Sequence, residues 1–317
     1  MDGKQNASRE LNSPEHKIDS SSPRVIDYED SDYQTSFWEQ GERGYEDQAE
    51  EVALRRLLPE KGNLLLELGA GAGRNTPRYN NFERIVLLDY SFTQLKAAQN
   101  RLGTGDRYVY VAADVYRLPF VPALFDFATM IRTIHHLVDP DLALTQVRRV
   151  LAEKGGFILE YANKQNLKAI IRYLAGRQAW SPFTVEPIEF VELNFNFHPK
   201  SIRTWLHDNR FRIERQLTVS HFRAKTLKRL IPLQLLVMMD SWAQLTGDLW
   251  QFSPSVFVKS IATGRTEPPN PGSFFLCPAC GYEQIEEIPD YCRCPRCSQR
   301  WQIKDGIYDF RLKKSGG

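Results

Sequence analysis

Short apolar runs alternate along most of the chain with segments whose apolar residues recur at helical spacing. The runs lack the polar alternation of strands that face water, which is typical of strands buried on both faces of a parallel sheet. The fold class that follows is α/β, with a seven-stranded, mostly parallel sheet and helices on both faces. The predicted strands are 63–68, 84–88, 108–112, 125–131, 156–161, 211–219 and 255–262.

Helices are predicted where apolar residues recur three or four positions apart. A helix at 45–58 precedes the first strand and is stopped by Pro59. The other predicted helical segments are 92–102, 141–151, 201–209 and an amphipathic stretch at about 224–247.

Composition divides the chain into a large unit and a small one. Residues 1–24 are rich in Ser, Asn, Glu and Lys, so a disordered tail is expected there. The large domain is predicted at 25–266, with a lid insertion at about 162–200 where aromatic, Asn and Pro residues interrupt the pattern. Three prolines in 267–272 predict a linker into a small C-terminal domain at 273–317.

Charge and hydropathy narrow the class of protein. A formal net charge of +2 leaves no overall electrostatic footprint for nucleic acid. The apolar run Leu230–Met239 contains Pro232 and is far shorter than the roughly 20 residues that span a bilayer. The N-terminus lacks a basic region followed by an apolar stretch, so no secretory signal is predicted and a cytoplasmic location is expected.

All five cysteines lie in the small C-terminal domain. Cys277 and Cys280 form one CPxC motif, and Cys294 and Cys297 form a second, thirteen residues further on. This spacing predicts a closed structural zinc site with four thiolates, and iron is the alternative metal. Cys292 is left over, either free or as a substitute ligand. A unit of about 45 residues buries little core, so the metal is expected to supply much of its folding energy.

A glycine-rich loop follows the first predicted strand. Gly69, Gly71 and Gly73 lack Cβ atoms, so a ligand can approach the backbone closely. A helix is expected to begin directly after the loop, and its first N–H groups would favour an anionic group.

Acidic residues stand at the ends of three consecutive predicted strands. A carboxylate at Asp89 can accept both ribose hydroxyls of a nucleoside. Asp114 can accept an adenine amino group, and the adjacent Tyr90 and Val115 can bracket the ring. A single strand-end acid is more often a cap of a helix or turn. With Glu67 the acid recurs three times, which favours nucleoside binding.

Six motifs occupy the stretch 64–161. They are ELGAGAGR at 67–74, LLDYS at 87–91, AADVYRLPF at 112–120, FDFA at 125–128, IHHLVDP at 134–140 and VRRVLAEKGGFILEY at 147–161. The stretch resembles class I methyltransferases, specifically those of small molecules and quinones. The resemblance implies a Rossmann-like fold with S-adenosylmethionine as cofactor.

The resemblance also implies roles for individual residues. Glu67 and the three glycines would surround the methionine part of the cofactor, Asp89 would hold its ribose and Asp114 its adenine. Tyr45, before the sheet, either closes over the methionine end or simply packs. Arg132, after the fourth strand, completes the predicted cofactor set.

Two related classes fit the residues less well. Nicotinamide dehydrogenases need a third glycine where Arg74 stands. Methylases of exocyclic amines carry an Asn/Asp-Pro-Pro-aromatic element, whereas 131–134 reads IRTI. The absence of cysteine outside the small domain also excludes thiolate-dependent methylation of pyrimidine carbon.

The sequence contains no clear catalytic base. His135 and His136 follow the fourth strand, and His198 stands at the lid margin; each is a weak candidate base, since histidine titrates near neutral pH. The alternative is that these histidines pack or cap a helix. Methyl transfer needs mainly alignment and desolvation, so a base is not required.

The small domain resembles a second family. Its two CPxC motifs and IKDGIYDF at 303–310 are similar to the zinc-ribbon activator subunit of tRNA, rRNA and release-factor methylases. This suggests that the ribbon stabilises the enzyme or recognises a substrate.

The predicted function, from the resemblance of the large domain, is methylation of a small or lipid-like acceptor. The alternatives are methylation of RNA or a translation factor, and a cofactor-binding scaffold without acceptor chemistry. The oligomeric state stays open.

Overall fold

The computed structural model describes residues 43–268 and 270–312, together with Pro23 and Glu29. The predicted disordered tail, apart from Pro23, lies outside the described residues. The helices are α1 (Gly44–Leu57), α2 (Phe92–Leu102), α3 (Pro140–Val150), α4 (Leu167–Leu174), α5 (Pro199–Asp208), α6 (Lys225–Leu230) and α7 (Leu233–Ala243).

All seven predicted strands occur in the large domain, together with two further short strands that were not predicted. They are β1 (Gly62–Leu68), β2 (Phe82–Asp89), β3 (Tyr108–Ala112), β4 (Phe125–Met130), β5 (Leu151–Ala162), β6 (Ile188–Val191), β7 (Asn194–Asn196), β8 (Phe211–Val219) and β9 (Ser255–Ala262). The two strands that were not predicted are β6 and β7. The ribbon contributes β10 (Glu286–Ile288), β11 (Tyr291–Arg293), β12 (Arg300–Lys304) and β13 (Ile307–Asp309).

Eleven of the described strands form one sheet, in the order β10-β11-β12-β13-β3-β2-β1-β4-β5-β9-β8. The strands from β13 to β5 are parallel, and β9 is antiparallel to both of its neighbours. The α/β class is confirmed, but the count of seven strands is wrong. The seven predicted strands are present, and the ribbon adds four because β13 pairs with the otherwise open edge of β3.

The strand order reverses between β1 and β4, so chain connections leave this point in opposite directions. In open α/β sheets, ligands bind beside the carboxyl ends of the strands at such a point. Helices cover both faces. Buried residues of α1, α2 and α7 pack on one face, and those of α3 and α5 pack on the other.

The helix expected after the glycine loop is absent. Only a single 3-10 turn, Thr76–Arg78, lies between β1 and β2. Thirteen residues connect these two parallel strands, which is about the minimum for a crossover. Pro77 also lacks the N–H that a longer helix would need.

The predicted lid at 162–200 contains regular structure of its own. Helix α4 begins at the cap Asn166, whose side chain accepts a hydrogen bond from the Ala169 amide. The hairpin β6–β7 follows as a separate two-stranded sheet. A covering role for this segment stays a prediction, as do the domain boundaries.

The ribbon is joined to the large domain through its last strand. Ile307 pairs with Tyr110 in the parallel ladder, and the Phe310 amide donates to the Ala112 carbonyl at 2.8 Å. Phe275 forms an isolated antiparallel bridge with Phe120. Their side chains share one core with the large domain, so the ribbon and the sheet are packed as a single body.

Phe310→Ala tests this coupling. Phe310 is buried, and its ring packs against Phe275 and Trp301, so its loss should lower the free energy of unfolding by about 3–5 kcal/mol. All described helices, including the 3-10 turns, lie within residues 44–248, so the helical circular dichroism signal in a urea titration reports on the large domain alone. The midpoint of that signal should fall, whereas exposed Gln302→Ala should leave it unchanged. An unmoved midpoint for Phe310→Ala would mean that the ribbon unfolds independently.

Candidate cofactor site and metal centre

The glycine loop packs directly against the end of β4. Gly69 has φ +68°, and a Cβ at this position would lie 2.1 Å from Thr133 Oγ1. The Thr133 hydroxyl in turn donates to the Leu68 carbonyl at 3.2 Å. Gly69 is therefore required by a left-handed backbone and by close approach to a neighbouring strand.

Asp89 is tied to the glycine loop. Its carboxylate accepts hydrogen bonds from the Gly71 amide at 2.8 Å and from the Ser91 amide at 2.9 Å. Gly71 has φ +52°, and no atom of the described residues beyond its chain neighbours lies within 4 Å of the place where its Cβ would stand. The loop therefore leaves open space beside a fixed carboxylate, as a ribose site requires.

Asp114 and its neighbours lie at the next strand end. The Asp114 carboxylate caps a 3-10 turn by accepting the Tyr116 amide at 2.9 Å, and burial raises its pKa. Val115 is buried, and Tyr90 is half-buried. The Arg311 guanidinium of the ribbon donates to the Tyr90 carbonyl at 3.3 Å. The ribbon thus contacts the predicted adenine side of the site.

Glu67 and Tyr45 are both buried. The Glu67 carboxylate accepts the Thr76 hydroxyl at 2.7 Å, and burial raises its pKa to about 7. The Tyr45 hydroxyl donates to Asp240 at 2.9 Å and accepts the Phe222 amide at 2.9 Å. The structure thus gives Tyr45 a packing role between α1 and α7. Contact of either residue with the cofactor stays a proposal.

Glu50 is a site residue that the sequence reasoning missed. It lies on the buried face of α1 and forms ion pairs with Arg74 of the glycine loop, at 2.8 Å, and with Arg132 at the end of β4. Burial opposes its ionisation, but the two guanidinium groups outweigh burial and hold its pKa at about 2. Glu50 therefore links α1, the loop and β4 through charge.

A sequence signal for Glu50 existed. Glu46 and Glu50 recur on the same helical face as Ala53 and Leu57, which is the buried face of α1. Acidic residues within an apolar helical stripe are rarely buried unless they are paired. Arg132, predicted only as a cofactor contact, has φ +56° and donates its amide to Glu160 at 3.0 Å.

The three candidate histidines have different surroundings. The Nδ1 atom of His135 is buried without a hydrogen-bond partner among the described residues, and burial lowers its pKa. His136 Nδ1 lies 3.2 Å from the Leu193 carbonyl of the hairpin loop. His198 caps α5, since its Nδ1 accepts the Lys200 amide at 3.1 Å. His198 thus has the capping role that the sequence left as its alternative.

The four paired cysteines converge as the spacing predicted. Their sulfur atoms all lie within 4.8 Å of one another, with Cys277–Cys297 at 3.7 Å and Cys280–Cys294 at 3.5 Å. A tetrahedron with metal–sulfur bonds of about 2.3 Å has edges of about 3.8 Å, so the donor set fits zinc. The identity of the metal stays a proposal.

Cys292 lies apart from this cluster. It sits on β11 opposite Trp301, buried in the core shared with the large domain. Burial raises the pKa of its thiol to about 12, so it stays protonated near neutral pH. Cys292 is thus placed as a packing residue.

Glu67→Gln should change how stability depends on pH. The folded pKa of about 7 exceeds the ordinary value of 4.5, so folding favours the protonated acid. Stability is therefore full below pH 4.5 and is lost as the pH rises towards 7, by up to about 3 kcal/mol. In urea titrations between these pH values, Glu67→Gln should lose this decline and exposed Glu83→Gln should keep it. Parallel profiles for wild type and Glu67→Gln would contradict the assignment.

Cys294→Ser should reduce bound metal and destabilise the chain. Elemental analysis of the purified protein should give one zinc ion per wild-type chain and substantially less for the variant, because three thiolates leave the tetrahedral site incomplete. Cys292→Ser is the matched control and should retain the metal. Equal loss of zinc in both variants would assign Cys292 to the site.

Comparisons with known proteins bear on the fold and the family. Residues 66–159 match the family model described as methyltransferase domain. The demethylmenaquinone methyltransferase of Clavibacter sepedonicus is 27% identical over 153 residues, which cover 48% of this chain and 62% of that protein. A ubiquinone/menaquinone biosynthesis C-methyltransferase of Saccharophagus degradans is 30% identical over 113 residues, which cover 33% of this chain and 45% of that protein. The chain thus spans less than two thirds of these curated relatives.

Solved structures extend the likeness over the large domain. An S-adenosylmethionine-dependent methyltransferase of Mesorhizobium loti has a TM-score of 0.50 at 20% identity, covering 69% of this chain and all of that one. A chain from the complex of the Haloferax volcanii Trm112 methyltransferase activator with a methyltransferase has a TM-score of 0.51 at 15% identity, covering 73% and 96%. The protein therefore carries a methyltransferase domain with the class I S-adenosylmethionine-dependent fold, and its four-cysteine ribbon forms one end of the sheet.

Proposed function

We propose that the protein transfers a methyl group from S-adenosylmethionine to a small or lipid-like acceptor. The observation that carries the proposal is the 2.8 Å hydrogen bond from the Gly71 amide to Asp89, which holds a strand-end carboxylate beside an open glycine loop. This arrangement lies at the carboxyl edge of the sheet, where its strand order reverses.

In this proposal the cofactor lies across the carboxyl ends of β1, β2 and β3. Asp89 accepts the ribose hydroxyls, and Asp114 accepts the adenine amino group between Tyr90 and Val115. Glu67 and the loop surround the methionine part. Bound S-adenosylmethionine would supply a methyl group on a sulfonium: a bond would form between the acceptor atom and the methyl carbon while the carbon–sulfur bond breaks, and the neutral thioether would leave.

The chain's own residues would align the acceptor and exclude water. Methyl transfer of this kind gains most from alignment. Arg132 is held beside the glycine loop by Glu50, and the His136 contact with Leu193 joins the end of β4 to the lid hairpin. The acceptor would therefore enter between the end of β4 and the lid hairpin. His135 Nδ1 is buried without a partner among the described residues, but the same burial lowers the pKa of the imidazole and makes it a weak base.

The class of acceptor is supported by the relatives. Both are named for methylation in quinone pathways, and they align with 153 and 113 residues of this chain. We therefore place the acceptor among small or lipid-like molecules. The lid carries exposed aromatic and aliphatic side chains, which suit an apolar acceptor.

The ribbon is proposed to stabilise the enzyme. Its strand β13 closes the edge at β3, and its Arg311 contacts the backbone of Tyr90. A comparable fold occurs in a complex named for a methyltransferase activator. A fused ribbon would thus supply in one chain what a separate subunit supplies there.

Asp89→Ala tests the cofactor site. Calorimetric titration with S-adenosylmethionine should give measurable binding to the wild type and at least tenfold weaker binding to the variant, because a charge-assisted hydrogen bond contributes roughly 1.5–3 kcal/mol. Exposed Asp106→Ala, in the loop before β3, should bind as the wild type does. No heat with the wild type would contradict the proposed function, and unchanged affinity in Asp89→Ala would remove that residue from the site.

A further inference from the structure

Exposed large apolar side chains are concentrated in one part of the described chain. Nineteen such residues are strongly exposed, and all except Val138 lie between residues 167 and 252. This stretch makes up about a quarter of the chain. Single exposed apolar residues are normal on a soluble protein, but a contiguous group indicates an interaction surface.

Helix α4 turns its apolar face outwards. Leu167, Ile171 and Leu174 recur at positions i, i+4 and i+7 and therefore share one face, and all three are exposed. Ala169 is the residue of this helix that is buried. Lys168 and Arg172 are exposed beside the apolar face. An amphipathic helix packed on a protein core has the opposite arrangement.

Helix α7 is arranged in the same inverted way. Its buried residues are Leu236 and the acidic Asp240, whose carboxylate accepts hydrogen bonds from Tyr45 at 2.9 Å and from His221. Its outer face carries Met238 and Trp242, which is 72% exposed. A carboxylate thus points inwards while a large indole points into solvent.

A chain of contacts connects these two helices. The Leu167 amide at the start of α4 donates to the Phe252 carbonyl at 2.8 Å, and the Phe252 ring stacks on Trp250 at 6.5 Å. Trp250 follows the 3-10 helix that directly continues α7. We name as the apolar surface the residues Leu167, Ile171, Leu174, Leu235, Met238, Met239, Trp242, Leu249, Trp250 and Phe252.

Positive charge accompanies the apolar surface. Residues 165–252 contain twelve Lys and Arg against seven Asp and Glu, a formal charge of +5, although the whole chain carries only +2. Lys168, Arg172 and Arg177 are exposed on or just after α4, and Lys225 and Arg229 are exposed on α6. Apolar residues that include Trp, mixed with exposed Lys and Arg, are typical of helices that lie in the interface of an anionic membrane.

We propose that the apolar surface docks on an anionic lipid bilayer. The charge complementarity favours this occupant over a second copy of the chain, which would bring like charges together. Attachment would be peripheral, since no helix in the described part is both long and apolar enough to cross a membrane. The inference rests on the proposed function: docking would let a lipid-like acceptor enter the site from the bilayer, beside the lid.

Vesicle sedimentation tests the proposal with the full chain. The protein should sediment with vesicles of phosphatidylcholine and phosphatidylglycerol, and at least tenfold more weakly with phosphatidylcholine alone, because several basic residues each contribute to attraction by anionic lipid. Failure to sediment with anionic vesicles would overturn the proposal.

Two sets of variants separate the apolar and the charged contributions. Trp242→Glu should weaken binding to anionic vesicles about tenfold, whereas Val138→Glu, an equivalent change at the exposed residue outside the surface, should bind as the wild type does. Replacing Lys168 and Arg229 by Gln should cost about fivefold for each residue. The matched pair Lys61→Gln and Arg101→Gln, exposed elsewhere, should have little effect. Equal losses in the variants and their controls would contradict docking through this surface.

Two further measurements distinguish the remaining outcomes. In analytical ultracentrifugation without lipid, wild type and Trp242→Glu should have the same mass. If the wild type is a dimer and Trp242→Glu is a monomer, the surface binds a second copy of the chain and the proposal is overturned. In calorimetric titration, Trp242→Glu should bind S-adenosylmethionine with the affinity of the wild type, which would show that the variant is folded. If the wild type binds S-adenosylmethionine but does not bind anionic vesicles, the docking proposal is refuted and the proposed function still stands.

Discussion

The buried carboxylate of Glu50 is the interaction on which the arrangement of the site depends. It joins Arg74 of the glycine loop to Arg132 at the end of β4, across the point where the strand order reverses. Removing one partner of a buried ion pair leaves an uncompensated charge, which costs about 3–5 kcal/mol. The same helix, α1, carries Tyr45, whose hydroxyl donates to Asp240 of α7. The cofactor edge and the apolar surface thus share one support.

The opposite end of the sheet depends on a backbone interaction. An unpaired edge at β3 would expose N–H and carbonyl groups next to Asp114. Strand β13 satisfies them, and the four-cysteine cluster holds the ribbon from which that strand comes. Since Arg311 reaches Tyr90, the metal site is connected to the predicted adenine side through a few packed residues. The ribbon is therefore part of the sheet and not an appended module.

Buried strands were predictable because their apolar runs are local signals: β3, β8 and β9 begin and end at the predicted residues. The ribbon's share of the sheet could not be predicted, because β10 and β11 have only three residues each and the pairing of β13 with β3 joins distant parts of the chain. Within the described residues, no α-helix forms directly after Gly73, because the connection from β1 to β2 is short. The helix propensity of single residues carries no information about that length. Glu50 was missed because a charged residue on a helix is usually exposed to solvent. The strand-end position of Asp89 was predictable, whereas its hydrogen bond to Gly71 required the folded loop.

In the proposed function, the carboxyl edge of this sheet transfers a methyl group to a small or lipid-like acceptor. The most direct measurement incubates the full chain with S-adenosylmethionine labelled on its methyl group and a cell extract separated into lipid, RNA and protein fractions. We expect enzyme-dependent label in the material that partitions into organic solvent. Label confined to the RNA or protein fraction, or no transfer to any fraction, would contradict it.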